Sequence, residues 1–583
     1  MKTTIAFSTL LALLITGQWL ARAERSGLVN ASGPELWFMN HSYLTSDDAL
    51  LVSKKRLDEA AAFGYNGVIF WDSGWNFMSD EFWPVENEGR LGELVKYAEK
   101  KGMRTMGGAN PYGYSNEVLD ANPNWAESQR VVGSLFQVDP SGRRLLLMNT
   151  VPALKNAGFE QGRSDWFGTN DPGIGIDTTG HSGHAAGQIS NAGANARFRQ
   201  KFSLKPWRHY HVRLWVKTEK FGGTAMVQIL DSADFGLYRL GYSVRVAGTQ
   251  DWMPIDLAFN SGDSSEAYLY FGVWGGSSGK IWFDDVAVEE TALVYVTRRP
   301  GTPLRIYDPS DPTTVYQEGA DYDPIADPRM SERNAFRDSY HNPPTVTLPA
   351  HTRLKPRQIV AMDYYAAFPF AETMGMSMCM TEPAAWKWVR DNTQAFKKVM
   401  PRDAGVLLGY DEIRQMNSCG SCRARKMDAG ALLAWSIQQL VELHKRVTPN
   451  ARLYIFSDMV DPYHNAQKHF YSVEGDLTGG WKGVSPDIII VNWNLGNLKE
   501  SLGWFAGQDP RWPVPHQQII AGFYDNPKGG AAAAEQELSQ AAGKPGILGL
   551  AYLSYSDNYS QLKNFADSAR ANWPSYEASL HSR

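Results

Sequence analysis

The sequence predicts an α/β protein: a (β/α)8 TIM barrel interrupted by an inserted all-β jelly-roll sandwich domain. Three observations point there. Short apolar strands alternate with helical patterns near both ends of the chain, the rhythm of a parallel sheet. That rhythm stops for a long stretch of alternating strands separated by Gly, Ser and Asp turns. The tips of the barrel-type strands carry acids, amides and large aromatic residues, and strand C-termini are where such a barrel gathers its chemistry.

The chain has 583 residues, 43% hydrophobic and 12% aromatic, enough for more than one core. Its net charge of -5 is spread along the chain, so no basic face is available for nucleic acid. Residues 1-23 read as a signal peptide: Lys2, an apolar run from Ile5 to Ile15, then Ala21-Arg22-Ala23 as the cleavage site. No later run reaches the roughly 20 apolar residues of a membrane helix. A secreted or periplasmic protein without an integral membrane segment is expected.

The first part of the barrel spans 33-150. "ELWFMN" ends at Asn40, a helix follows over Ser46 to Phe63, "GVIFWD" ends at Asp72, a second helix lies near Leu91 to Lys101, and "MRTMGGANPYGYS" supplies a third strand ending near Gly107. Residues 151-292 form the inserted sandwich, with strands such as "HYHVRLWVKT", "AYLYFGVW" and "KIWFDDVAV". Residues 293-355 are rich in Pro and Asp and read as an irregular connector with some strand pairing. The second part of the barrel, 356-583, restores the alternation: "QIVAMDYYAAF" as an extra strand, a helix over Pro383 to Val399, "GVLLGYDE", a helix over Lys426 to Arg446, then strands ending at Asp458, Trp493, Asp525 and Ser554. A doubly wound sheet is the alternative arrangement.

Cys379, Cys419 and Cys422 are the only cysteines, too few for a disulfide framework or a four-cysteine zinc site. A local disulfide or inert thiols is the plain expectation; redox or metal chemistry is the other. Met374, Met376, Met378 and Met380 flank Cys379 and read as adaptable packing rather than a copper site.

The strand tips bring Asn40 and His41, Asp72 and Trp75, Tyr410, Asp411 and Glu412, Asp458, Trp493 and Asn494, and Tyr524 and Asp525 towards one face. Helix capping accounts for any one acid, but not for acids, amides and aromatics at nearly every tip. Aromatic platforms with Asp, Asn and His side chains suit a polyhydroxylated ring. Cleaving a sugar needs a proton donor and an anionic or nucleophilic partner. Asp411 and Glu412 are adjacent, and side chains alternate along a regular strand. Both reach a cleft only because the strand ends there.

"LLGYDEIR" resembles the fourth-strand signature of family 20 glycoside hydrolases, the β-N-acetylhexosaminidases and their relatives. The resemblance implies that Glu412 is the general acid/base and that Asp411 orients the substrate's own 2-acetamido group, which attacks as nucleophile; Trp493, Tyr524 and Asp525 match later pocket residues. "ELWFMNHSY" lacks that family's first-strand Arg, and "FWDSGWN" and "GGANPYGYS" lack its second- and third-strand motifs.

In the insert, "NAGFEQG", "HSGHAAGQI", "RFRQKFSLKPWRHYHVRLWVKT" and "IWFDDVAVEE" are similar, in that order, to family 4/9-type carbohydrate-binding modules. That resemblance implies a structural calcium near the strand ends, with Glu160 and Asp285 as ligands, and no cofactor for catalysis. The expectation is a glycoside hydrolase acting on an oligosaccharide or polysaccharide, with 2-acetamido sugars as the finer reading. Its alternatives are a non-catalytic carbohydrate-binding protein, or a glycosidase whose nucleophile is Asp458 or Asp525.

Overall fold

A computed structural model describes residues 33–41, 43–71, 85–109, 112–231, 236–369, 375–524 and 530–581. Residues 1-23, Asp72, Trp75, Met374 and Asp525 lie outside them. Eight strands close a barrel in chain order: Glu35–His41, Gly67–Trp71, Arg104–Ala109, Gly405–Leu408, Leu453–Phe456, Ile489–Asn492, Gln518–Phe523 and Ile547–Leu553. Pairing is parallel, as in Asn40 with Phe70, Leu408 with Ile455 and Phe38 with Tyr552. These are the eight strands expected from the alternation.

The chain divides into two compact units: among the described residues, 33–71, 90–106 and 486–581 in one, 85–89 and 107–485 in the other. In the first, the helix Asp47–Ala62 starts at Ser46, whose side chain accepts from Ala49 N over 3.2 Å, with Asp47 and Asp48 in its first turn. Its buried Leu50, Ser53, Leu57 and Ala60 recur at the spacing of one helical face. In the second, the helix Ala429–Val447 is capped by Asp428 and buries Leu432, Leu433, Ile437 and Leu440.

Strict strand-helix alternation is not complete. Between the fifth and sixth strands the described helices are the short 3-10 turns Asp458–Val460 and Gly480–Gly483. Pro462, Gly475, Gly479 and Pro486 punctuate that return, and such residues do not sustain a helix.

The insert is antiparallel throughout. Its two longest strands, His209–Asp231 and Glu266–Thr291, pair with each other along most of their lengths. The N-terminal half of Glu266–Thr291 also pairs with Ala196–Ser203, its C-terminal half with Ala186–Ser190. Between the halves the register slips, at Trp274 to Lys280, where the glycine-rich stretch 275–279 bends the strand. Phe159, Phe198, Val212, Phe271 and Ile281 from both halves share one core, as in a sandwich. Trp166 and Trp282 are buried; Trp207, Trp215, Trp252 and Trp274 are half-buried.

A six-stranded antiparallel sheet joins the expected extra strand and the strand pairing of the connector to residues 129–147. Its order is Asp311–Tyr316, Arg305–Asp308, Ile359–Ala366, Gln129–Val138, Arg144–Leu147, Val346–Thr347. It takes residues 129–147 from the segment read as barrel and gives strand structure to the connector. Phe136, Ile306, Val360 and Met362 sit in its core.

Candidate active site

The fourth strand is buried along Gly405–Leu408 and stops because the next residues turn. Tyr410 N donates to Leu408 O over 2.9 Å, and Tyr112 N donates to Gly409 O over 2.5 Å. Gly113 lies against this turn: a Cβ there would stand 1.4 Å from Asp411 O. Tyr410 itself is fully buried, stacked on Tyr112 with centroids 4.9 Å apart, its hydroxyl 2.9 Å from Ser436 Oγ. It therefore belongs to the packing beneath the turn.

At Glu412 the backbone enters the left-handed region, φ 42°, which costs a non-glycine residue on the order of 1 kcal/mol or more. Two contacts hold it. Glu412 N donates to Asp458 Oδ2 over 2.8 Å, and Ile413 N reaches Met459 Sδ at 3.3 Å. The turn thus faces both adjacent acids away from the regular strand alternation.

The two acids have different surroundings. Glu412 Oε2 accepts from the Tyr114 hydroxyl and from Arg414 Nη2, and Arg414 Nη2 is also 2.8 Å from the Tyr114 oxygen. The guanidinium lies between the Tyr114 and Tyr471 rings, 4.8 and 5.6 Å from their centroids. The Glu412 side chain is 27% exposed while that of Arg414 is 7% exposed, so Glu412 is the member of the pair a ligand reaches. Its Oε1 takes no hydrogen bond among the described residues.

Asp411 is half-buried and Asp458 fully buried, and the two acids neighbour each other. Burial pushes Asp411 well above the carboxylate range, and the charges of Asp458 and Glu412 add to it. Burial likewise raises Asp458 to about 7, against the opposing N–H bond from Glu412 and a 3.0 Å bond from Asn465 Nδ2. The ends of two neighbouring strands therefore hold an acid dyad of raised proton affinity beside an accessible carboxyl group. His464 is half-buried nearby; burial lowers its basicity while the Glu412 charge opposes.

Asn40, His41, Trp493, Asn494 and Tyr524 are placed in the other unit with partners of their own. Asn40 is buried, Nδ2 3.3 Å from Ser53 O. His41 Nδ1 is 3.7 Å from Asp557. Trp493 is half-buried, and Asn494 caps the turn that follows it by accepting from Asn497 N over 3.2 Å. Tyr524 is buried, stacked on Tyr552 at 4.8 Å and bonded to Glu537. In the sandwich, Glu160 Oε1 accepts from His184 N and Ala185 N, and Asp285 meets His181 Nδ1 and Ser182 Oγ, both at 2.6 Å.

Tyr114, Arg414, Asn465 and Tyr471 were not singled out from the sequence. Arg414 was within sight, two residues after Glu412 in "DEIR", and Tyr114 stands in "GGANPYGYS", where the third strand ends. Asn465 and Tyr471 sit in a loop with no motif to mark them.

No family model and no curated protein matches the chain. Among solved structures, it is similar to one titled "CBM4 structure and function", 18% identical over 24% of this chain and 99% of that one, TM-score 0.20. A family 61 module in complex with β-1,4-galactotriose is 21% identical over 24% and 97%, TM-score 0.19. The CBM22-1 xylan-binding domain of Paenibacillus barcinonensis Xyn10C is 12% identical over 24% and 95%, TM-score 0.19.

Proposed function

We propose that this chain is an exported glycoside hydrolase built on a (β/α)8-type barrel, and that it acts at the turn after the fourth strand. The observation that supports the reading is the accessible carboxyl group of Glu412 beside the half-buried Asp411 and the buried Asp458, both of raised proton affinity. In this reading Glu412 is the general acid/base, and its Oε1 meets the glycosidic oxygen. Asp411 orients a 2-acetamido group.

The chemistry follows from these positions. The acetamido oxygen attacks the anomeric carbon as the glycosidic bond breaks, and the Glu412 proton goes to the departing oxygen. The cyclised intermediate carries positive charge. That charge favours an ionised Asp411. Water then attacks the anomeric carbon, giving its proton to the Glu412 carboxylate and reopening the ring. Asp458 is a poor nucleophile candidate, being fully buried and already hydrogen-bonded.

A second reading, a carbohydrate-binding protein without catalysis, is favoured by the Arg414 and Tyr114 contacts, which also suit a Glu412 that only anchors its loop. Aryl glycosides in matched 2-acetamido and 2-hydroxy forms distinguish the two. Turnover confined to 2-acetamido sugars supports the assignment, and turnover confined to 2-hydroxy sugars removes the acetamide role. Glycan binding that survives Glu412→Gln, with no turnover by the parent, selects the second reading. The insert is read as a carbohydrate-binding module. A calcium ion at Glu160 and Asp285 would replace the His181 and Ser182 contacts, and a chelator-dependent fall in Tm tests for it.

A further inference from the structure

Away from the acid dyad, the second unit gathers four ligating side chains into one buried knot. The atoms that Glu127, Cys379, Cys419 and Cys422 can offer all lie within 4.8 Å of one another. Cys379 Sγ is 3.5 Å from Cys419 Sγ and 3.6 Å from Cys422 Sγ, and Cys422 Sγ is 3.5 Å from Glu127 Oε2. All four residues are buried. The chain separations are large, so tertiary structure assembles the group. Cys379 N bonds Trp125 O and Glu127 N bonds Ser377 O, both at 2.8 Å, which sets Glu127 beside Cys379. The Ser418–Cys422 turn supplies the other two.

We propose that Glu127, Cys379, Cys419 and Cys422 bind one zinc ion as a closed, four-coordinate structural site. Zinc–sulfur bonds of about 2.3 Å in a tetrahedron put sulfurs about 3.8 Å apart, and a zinc-bound carboxylate oxygen lies about 3.6 Å from them. The separations match that spacing, whereas disulfide sulfurs stand about 2.05 Å apart. Three thiolates with one carboxylate select zinc over calcium or magnesium, which take oxygen ligands.

The surroundings are arranged as they are around metal ligands. Glu127 Oε1 accepts from Ser418 N and Cys419 N over 2.9 and 2.7 Å, leaving Oε2 turned to the sulfurs. Thr381 Oγ1 is 3.3 Å from Cys379 Sγ and 3.2 Å from Cys422 Sγ, and Ser421 Oγ is 3.2 Å from Cys419 Sγ. Arg299 brings a buried positive charge beside them, anchored on Ala126 O at 3.1 Å, Ser421 Oγ at 3.3 Å and Glu382 Oε2 at 3.3 Å. Loading releases to solvent whatever protons the three sulfurs and Glu127 still carry, and no redox change is involved. Bound zinc would tie the loop carrying Asp411, Glu412 and Arg414 to the start of the 129–138 strand, and this role does not depend on the glycosidase reading.

The test is metal analysis of the full chain as secreted, with its intact mass, followed by replacement with cobalt(II). One zinc per chain, three thiols protected until the protein is unfolded, and a thiolate-to-cobalt absorption band lost in Cys379→Ser are the expected results. Glu127→Gln should speed zinc loss to a chelator by about tenfold or more. A chain about 2 Da lighter than the reduced mass, with no zinc, would overturn the proposal in favour of a disulfide. A reduced chain that takes up neither zinc nor cobalt would overturn it equally. If the serine variant does not fold, the parent's zinc content and cobalt spectrum decide.

Discussion

The main-chain N–H of Glu412 donates to Asp458 Oδ2 over 2.8 Å, so a side chain just after the fifth barrel strand fixes the backbone of the turn that follows the fourth. That bond holds Glu412 in a left-handed conformation and presents its carboxyl group to Tyr114 and Arg414. Asp458→Ala removes the bond and half of the dyad. Activity on a responsive glycoside should fall by about a hundredfold or more, the scale of a lost transition-state contact. Circular dichroism should show the fold retained, and an unchanged kcat/KM would show that the clamp is irrelevant.

The dyad also sets a pH dependence. Burial raises Asp458 from 3.8 to about 7 in the folded protein, and Asp411 is raised as well. Between about pH 4 and pH 7 the folded chain therefore binds more protons than the unfolded chain, so stability falls as pH rises and levels off above the folded value. The contribution is on the order of a few kcal/mol at most. Asp458→Asn should flatten the decline in Tm between pH 5 and pH 8 relative to the parent. A variant with an equally steep decline would place the titrating group elsewhere.

Two glycines offer a matched contrast. Gly113→Ala drives a methyl group into Asp411 O at 1.4 Å and should cost several kcal/mol or displace the Asp411 turn. Gly89→Ala, on an exposed helical position with open space around it, should raise stability by up to about 1 kcal/mol. Denaturant midpoints compare them. Equal effects would contradict the close packing of Gly113.

Much of this was legible in the sequence because the signals were local. Most of the barrel strands are apolar runs closed by polar residues, and Asp411 and Glu412 stand just after one. The six-stranded sheet was not legible, since Val360 pairs with Phe136 across the whole insert and no turn joins them. The cysteine knot was hidden for the same reason: "CGSC" shows two ligands, while Cys379 and Glu127 arrive from distant segments. Tyr410 and Tyr524 look like cleft residues by position, yet stacking on Tyr112 and Tyr552 buries both. Position at a strand end does not tell which way a ring turns.

Tyr114→Phe removes one of the two donors on Glu412 Oε2 and leaves Arg414 in place. A hydrogen bond to a charged group contributes about 1.5–3 kcal/mol, so kcat/KM should fall by roughly tenfold to a hundredfold, with a shifted pH profile. A purely structural Tyr114 would lower Tm and leave the profile where it was.

The central claim is that Glu412 protonates the departing oxygen. The direct measurement is kcat/KM of Glu412→Gln on two substrates sharing one sugar, an unactivated glycan and a dinitrophenyl glycoside. A proton donor is needed for the poor leaving group and hardly at all for the good one. The account predicts a loss of about a thousandfold or more on the glycan and under about tenfold on the aryl glycoside. Equal losses on both substrates, or none on either, would contradict it.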